Sequence, residues 1–237
     1  MADRKDKLPA QSSSSEVSAF LNTVATTPAR KRRGERGRLI FAMDATASRE
    51  PSWDRAAHIQ AEMFRETAAL GGLDVQLAFY RGFLEFHTTP WMSDSEALLK
   101  RMTAVSCLAG QTQIGRIFQH ALDETGRARV NAVVFVGDCM EEEVDQLGQL
   151  AGQLGLLGVP VFVFHEGGEP SAARAFQQIA KLSGGAYCRF DAQSAQQLRD
   201  LLSAVAVFAA GGRDALEDFG QRKGGEILRL SHKMKGR

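Results

Sequence analysis

A short apolar run near the start of this chain ends abruptly in an acidic residue. Every position from Leu39 to Met43 is apolar, Asp44 follows directly, and hydroxyl side chains stand at Thr46 and Ser48. Such a run without polar positions is typical of a strand that is covered on both faces, as in a parallel sheet. Ligands of these sheets bind beyond the carboxyl ends of the strands. The sequence therefore predicts a ligand site at the end of this strand.

The candidate ligand atoms of this predicted site are oxygens. One carboxylate and two hydroxyl groups are hard ligands that suit Mg²⁺ or Mn²⁺ and suit zinc poorly. Because three oxygens do not fill an octahedron, further ligands must come from other loops. Thr112 lies in the run from Gly110 to Gly115 that opens a helical pattern, and Asp138 ends a second apolar run that starts at Asn131. Backbone N–H groups at the start of that helix would also favour an anionic ligand.

Together, these five residues resemble the metal-ion-dependent adhesion site of von Willebrand factor type A domains. The resemblance is carried by Asp44-x-Thr46-x-Ser48, Thr112 and Asp138, and it covers roughly residues 36 to 212. The family usually has serine where this chain has Thr46, which keeps the oxygen and adds a methyl group. In the purely structural interpretation, Asp44 and Asp138 are loop or capping carboxylates and Thr112 is a helix cap. The match at all five positions favours the metal site over that interpretation.

The resemblance implies roles for each of these residues. Thr46, Ser48 and Thr112 would contact a divalent cation through their hydroxyl oxygens, while Asp44 and Asp138 would hold it directly or through water. In the family, a carboxylate from another protein commonly fills the remaining position. Neutral hydroxyl ligands leave the cation electrophilic, so an incoming Asp or Glu gains strongly. The implied function is a protein-binding module, not an enzyme, with Mg²⁺ or Mn²⁺ as cofactor. Analogy with intracellular relatives adds a role in complex assembly or beside a chaperone or ATPase.

Polar residues beside the predicted ligands are candidates for a partner-binding rim: Gln111, Gln113, Glu141 and Glu142. Glu141 to Glu143 are also expected in the first turn of a helix, where the helix dipole favours acidic side chains, so a structural role is the simpler interpretation for them. Cys139 follows Asp138 directly. A redox role is conceivable for it, but a small buried side chain is favoured.

The main alternative is an enzyme. Asp44-x-Thr46 at a strand end, followed by Gly137-Asp138-x-x-x-Glu142, also resembles the haloacid-dehalogenase-like phosphotransferases. Asp44 would then be the nucleophile, and Asp138 and Glu142 would hold Mg²⁺. Against this, Thr46 replaces the second aspartate of most phosphatases in that family, and no lysine is obviously placed to neutralise a phosphate. A second alternative is a scaffold that binds no metal, against which the oxygen side chains at all five ligand positions argue.

The order of apolar runs predicts an α/β fold. Strand patterns alternate with helical ones, and a hairpin around Gly82 follows the helix predicted for residues 51–70. This order predicts a doubly wound, mostly parallel six-stranded sheet with one antiparallel edge strand and helices on both faces, as in type A and other Rossmann-like domains. We predict a flexible basic extension over residues 1–35, in which Glu16 to Ala25 can form a short helix, a domain over residues 36–212, and a basic, weakly helical tail over residues 213–237.

Charge is distributed unevenly along the chain. Residues 1–38 carry nine Lys and Arg against four Asp and Glu, residues 213–237 carry seven against four, and the segment between them carries 13 against 20. An acidic body suits a cation-binding protein, and the basic run from Arg30 to Arg33 is more typical of a solvated linker than of a nucleic-acid-binding signal. The chain shows no signal-peptide pattern, no apolar run of the roughly 20 residues that span a bilayer, and no paired cysteine spacing. These features predict a cytoplasmic protein.

Overall fold

The computed structural model describes residues 14–27, 36–49, 72–190 and 195–223. Its strands are β1 (Gly37–Asp44), β2 (Leu73–Arg81), β3 (Glu85–Thr88), β4 (Ala132–Gly137), β5 (Val161–Glu166) and β6 (Tyr187–Phe190). Its helices are α1 (Ser14–Thr26), α2 (Ser95–Thr103), α3 (Ile114–Arg127), α4 (Val144–Leu156), α5 (Pro170–Ser183) and α6 (Ala195–Lys223), and a 3-10 turn (Ala47–Arg49) follows β1. The predicted helix over residues 51–70 and the basic linker lie outside the described residues.

The strands form a single six-stranded sheet in the order β3-β2-β1-β4-β5-β6. Every neighbouring pair is parallel except β2 and β3, which are antiparallel at one edge. The predicted fold class is therefore confirmed. The register pairs Asp44 with Tyr80 of β2 and Met43 with Val136 of β4, so the loops after β1 and β4 leave the same edge of the sheet side by side.

Alternation along the central strand divides the core into two layers. Leu39, Phe41 and Met43 of β1 face a layer that includes α1, α2 and α6, while Ile40 and Ala42 face the layer of α3, α4 and α5. Both sets are fully or almost fully buried. Since successive side chains of a strand point to opposite faces, an uninterrupted apolar run is what a strand between two helical layers requires.

Segments on both sides of the predicted 36–212 domain also pack on this core. The short helix predicted at Glu16 to Ala25 is present as α1, and the Phe20 ring lies 5.2 Å from the ring of Phe164. At the other end, α6 breaks at Gly212 (φ 73°, ψ −157°) but continues in helical form to Lys223, burying Ala215, Leu216 and Phe219. The segment from Arg213 to Lys223 is thus better packed than the predicted weak tail, because its apolar residues lie on one helix face. None of the described helices is long and apolar enough to cross a membrane.

The turn between β2 and β3 holds an unusual residue. Leu84 adopts a positive φ of 58° although it is not glycine, and its side chain is 80% exposed. This left-handed conformation costs an ordinary L-residue about 1 to 2 kcal/mol, whereas asparagine adopts it more readily.

We therefore expect Leu84→Asn to raise the free energy of unfolding by about 1 kcal/mol, measured by urea denaturation. Leu156 is a matched control, since it is 87% exposed but lies in the ordinary helical conformation of α4. Leu156→Asn should lower stability by a few tenths of a kcal/mol, roughly the difference in helix propensity. Equal effects at the two positions would contradict the assignment of strain to Leu84.

Candidate metal centre

Asp44 is the last residue of β1 and is fully buried. Its Oδ1 accepts a hydrogen bond from the Thr46 backbone N–H at 2.8 Å, and its Oδ2 accepts one from the Tyr80 hydroxyl at 2.9 Å. Burial is the main factor that raises the pKa of Asp44, and the nearby charge of Asp138 raises it further. The two hydrogen bonds fix the orientation of this carboxylate but leave lone pairs on both oxygens.

Asp138 lies just beyond β4 and next to Asp44. Ligand atoms of Asp44, Asp138 and Cys139 all lie within 4.8 Å of one another. One oxygen of Asp138, Oδ1, is buried and has no hydrogen-bond partner within the described part of the chain. A buried carboxylate oxygen that lacks a donor and lies close to a second carboxylate is costly for the fold unless a cation or a proton neutralises the pair.

The Cys139 thiol lies among these carboxylates and is protonated in the metal-free protein. Burial raises the pKa of Cys139 to about 12, and the neighbouring carboxylates Asp138 and Asp44 contribute to the shift. Without a metal, the side chain is therefore a neutral thiol near neutral pH, which disfavours redox chemistry at this residue. The other candidate ligand atoms at this edge are carboxylate and hydroxyl oxygens, the hard donors that Mg²⁺ and Mn²⁺ prefer.

Thr46 and Ser48 lie beside Asp44 on the turn that follows β1. Their hydroxyl oxygens are 3.1 Å apart, and Thr46 is buried whereas Ser48 is exposed. The 3-10 turn that begins at Ala47 bends the chain back, and the Arg49 N–H bonds to the Thr46 carbonyl. Asp44, Thr46 and Ser48 therefore form one hydrogen-bonded cluster at the end of β1.

Thr112 reaches this edge on a separate loop. Its hydroxyl accepts a hydrogen bond from the Glu141 N–H, and its own N–H donates to the Glu141 carboxylate, both at 3.1 Å. The same loop is tied to β1, since the Leu108 N–H donates to the Ala45 carbonyl at 3.0 Å. The structure thus brings all five predicted ligands to one edge of the sheet, with Thr112 bonded to the loop after Asp138.

The Glu142 carboxylate binds to the start of α3 and does not lie in the first turn of the helix that follows it in sequence. Helix α4 begins at Val144, so Glu142 precedes it, and its carboxylate accepts hydrogen bonds from the Ile114 and Gly115 N–H groups of α3 at 2.6 and 2.8 Å. The expectation that these amides would favour an incoming anion is wrong, because a side chain of this chain already occupies them.

The other candidate rim residues divide into two kinds. Gln113 is buried, and its amide oxygen accepts a hydrogen bond from Arg116 at 2.7 Å, so it holds the loop in place, as Glu142 does. Gln111 and Glu141 are exposed beside the site. Their part in partner binding stays a prediction.

Sequence analysis missed the buried cation behind the site. Arg49 is almost fully buried; its Nη1 donates to the Asp44 carbonyl at 2.9 Å, while Nε and Nη2 donate to Glu166 Oε2 at 3.0 and 2.9 Å. This guanidinium lowers the pKa of Asp44, against the larger effect of burial. No local signal identifies it, since an arginine after a polar turn is ordinarily expected to be exposed.

His165 was also missed as a part of this edge. Its Nε2 lies 3.1 Å from the Asp138 carbonyl oxygen and its Nδ1 lies 2.9 Å from the Tyr187 hydroxyl. Because a carbonyl can only accept, Nε2 must carry the proton and Nδ1 accepts from the tyrosine. Burial lowers the pKa of His165, which favours this neutral form. The imidazole thereby holds the turn that carries Asp138.

Comparison with known proteins gives matches among solved structures alone. No protein-family model matches the chain, and no curated protein matches it. The VWA domain of SpRpn10 superposes with a TM-score of 0.57 at 15% identity, covering 71% of this chain and 94% of that one. An aerotolerance-related membrane protein from Bacteroides fragilis gives 0.54 at 16% identity, covering 70% and 98%. The pilus adhesin SpaC from Lactobacillus rhamnosus GG gives 0.59 at 10% identity, covering 80% of this chain and 31% of the adhesin.

Identities this low establish the fold alone. The neighbours include a VWA domain that this chain covers almost completely, and the six-stranded, mostly parallel sheet with its antiparallel edge strand agrees with the fold expected from the sequence. This chain has the von Willebrand factor type A fold.

Proposed function

We propose that this protein is a protein-interaction module that holds Mg²⁺ or Mn²⁺ at the edge of its sheet and captures an Asp or Glu side chain of a partner. The observation that carries the proposal is the pair of carboxylates, Asp44 and Asp138, whose ligand atoms lie within 4.8 Å, with one oxygen of Asp138 buried and unsatisfied in the described part of the chain. A divalent cation would be a partner for Asp138 Oδ1 and would also offset the repulsion between the Asp44 and Asp138 carboxylates.

Each residue of the site would contribute in a distinct way. Asp44 and Asp138 supply the negative charge, and the hydroxyls of Thr46, Ser48 and Thr112 supply neutral oxygens. A bound cation would offer an electrophilic centre to an incoming carboxylate. Residues behind the site keep the ligands in place: the Tyr80 hydroxyl bonds to one oxygen of Asp44, and His165 holds the carbonyl of Asp138.

Two contacts favour binding over the phosphotransferase alternative. Both oxygens of Asp44 accept hydrogen bonds, which weakens this carboxylate as a nucleophile. Glu142, which would hold Mg²⁺ in that enzyme, is bonded to two amides of α3. The metal-free scaffold is disfavoured because it leaves Asp138 Oδ1 without a partner in the described residues.

Electron paramagnetic resonance of Mn²⁺ tests the proposal directly, because bound and free ions give different signals. The wild-type protein should bind one Mn²⁺ per chain, Mg²⁺ should displace it, and Asp44→Ala should abolish binding. Asp74→Ala is the matched control, since Asp74 lies near the start of β2, at the opposite end of the strands. Circular dichroism must show that Asp44→Ala is folded, because the change leaves the Tyr80 hydroxyl and the Thr46 N–H without their acceptor.

The alternatives give different results in the same proteins. Absence of Mn²⁺ binding in the wild-type protein would contradict the proposal and favour a metal-free scaffold. Hydrolysis of p-nitrophenyl phosphate that disappears in Asp44→Ala would contradict it in favour of an enzyme.

A further inference from the structure

Three exposed apolar side chains lie at the same edge of the sheet as the candidate metal centre. Phe83 and Leu84 in the turn between β2 and β3 are 77% and 80% exposed, and Leu108 in the loop that carries Thr112 is 45% exposed. We name these three residues the apolar ledge. Within the described part of the chain, the other large exposed hydrophobic side chains lie in and just after α4 and in α5: Leu156, Leu157 and Leu182.

Backbone hydrogen bonds fix the ledge relative to the site. The Gly82 N–H donates to the Leu108 carbonyl at 3.2 Å, and the Leu108 N–H donates to the carbonyl of Ala45, the residue directly after Asp44, at 3.0 Å. The Ala45 N–H in turn donates to the carbonyl of Tyr80 in β2, at 2.9 Å. A continuous chain of hydrogen bonds thus joins the turn to Asp44, so the ledge and the site form one surface.

Two arginine side chains fix the backbone around the ledge: Arg116 bonds to the turn itself, and Arg81 joins the end of β2 to the loop that carries Leu108. Arg116 of α3 donates through Nη1 to the Leu84 carbonyl at 2.7 Å, and Arg81 donates through Nη1 to the carbonyl and the hydroxyl of Ser106 at 3.0 and 2.8 Å. These bonds hold the backbone and leave the side chains of Phe83 and Leu84 exposed. A surface whose backbone is fixed while its apolar side chains point outward is ready to bind without ordering a loop.

The folded chain gains little from these residues. Leu84 is strained by its positive φ, and large apolar side chains that are more than three-quarters exposed contribute little burial to folding. Exposed apolar groups that cluster beside a binding site are typical of a protein contact. A second protein that covers the ledge would bury these side chains, and their burial would contribute favourable free energy to binding.

We infer that the partner segment carries a large apolar side chain within about five residues of the carboxylate that it offers to the metal, an inference that rests on the proposed function. Leu84 lies four residues beyond Tyr80, which pairs with Asp44, so the Cα atoms of Tyr80 and Leu84 are no more than about 14 Å apart. An extended segment spans that distance in about five residues at roughly 3.3 Å each. The carboxylate binds at the metal, and the apolar side chain packs on Phe83, Leu84 and Leu108.

The test begins with a phage-displayed library of random peptides, panned on the full-length protein in Mg²⁺ and eluted with acid, so that peptides are recovered whether or not they need the metal. The selected peptides should contain Asp or Glu with Leu, Phe, Met or Trp within about five residues. Synthetic copies are then measured by fluorescence polarisation. Serine in place of the apolar residue of the peptide, or Phe83→Ser or Leu84→Asn in the protein, should weaken binding about tenfold or more. When the peptide change and the protein change are combined, the fold-loss in affinity should be smaller than the product of the two separate fold-losses, because both changes remove the same contact.

Matched measurements separate this inference from the proposed function. Leu156→Ser removes an equally exposed leucine from α4 and should leave peptide binding unchanged, and Phe83→Ser should bind Mn²⁺ as the wild-type protein does. Selected peptides that contain an acid without an apolar neighbour, or equal binding by Phe83→Ser and the wild-type protein, would overturn the ledge and leave the metal site intact. Peptides that bind equally in chelator and to Asp44→Ala would overturn the proposed function itself.

Discussion

Replacing Arg49 with methionine is expected to lower the free energy of unfolding by about 3 kcal/mol. The Arg49 side chain has no exposed surface, and Glu166, its partner at 2.9 Å, is 14% exposed. Removing one member of a buried ion pair leaves the other charge without compensation and here also removes a donor to the Asp44 carbonyl. Because Glu166 retains some contact with water, the loss should fall at the lower end of the range for buried pairs. Urea denaturation followed by circular dichroism measures it.

An exposed ion pair in the same protein provides the control. Arg36 and Asp74 approach to 2.8 Å, but their side chains are 44% and 30% exposed, so Arg36→Met should change stability by less than about 1 kcal/mol. Neutralising the partner as well, in Arg49→Met/Glu166→Gln, should recover part of the stability lost by Arg49→Met alone. A loss at Arg49 no larger than that at Arg36 would show that the buried pair does not hold this edge of the sheet.

Replacing Asp138 with asparagine is expected to have opposite effects with and without metal. In the absence of metal, the change removes the charge repulsion between two carboxylates whose ligand atoms lie within 4.8 Å, so stability should increase by about 1 kcal/mol, the Coulomb energy of such a pair in water. In the wild-type protein, Mg²⁺ at about one hundred times its dissociation constant should add about 2.7 kcal/mol, a response that Asp138→Asn should lose. Thermal unfolding in chelator and in Mg²⁺ measures both effects.

Asp74→Asn tests whether these effects are specific to the site. It removes one carboxylate from the opposite end of β2, so its response to Mg²⁺ should equal that of the wild-type protein. An Asp138→Asn variant that is less stable than the wild-type protein in chelator would contradict the repulsion between Asp44 and Asp138. A retained Mg²⁺ response in that variant would contradict the assignment of Asp138 as a ligand.

The elements that carry the site could be predicted because their signals are local. An apolar run that ends in an acid marks β1 and β4, and the placement of Thr112 just before the pattern of α3 indicated a second loop at the same edge. The left-handed turn at Leu84 could not be predicted, since leucine does not indicate that conformation. The packing of α1 and of residues 213–223 was also not predictable, because an amphipathic pattern shows that one helix face is buried but does not identify the surface against which it packs.

The sequence by itself determined the order of strands and helices along the chain, the edge at which the polar residues meet and the oxygen chemistry of the candidate ligands, because residue type and periodicity act over a few positions. Only the tertiary structure decided what surrounds those ligands. In the folded chain, Arg49 is buried and bonded to Glu166, the Tyr80 hydroxyl donates a hydrogen bond to Asp44, and the Glu142 carboxylate accepts hydrogen bonds from amides of α3. These contacts join residues 28 to 117 positions apart, and their strength depends on exclusion of water, which is a property of the packed fold and not of any local segment.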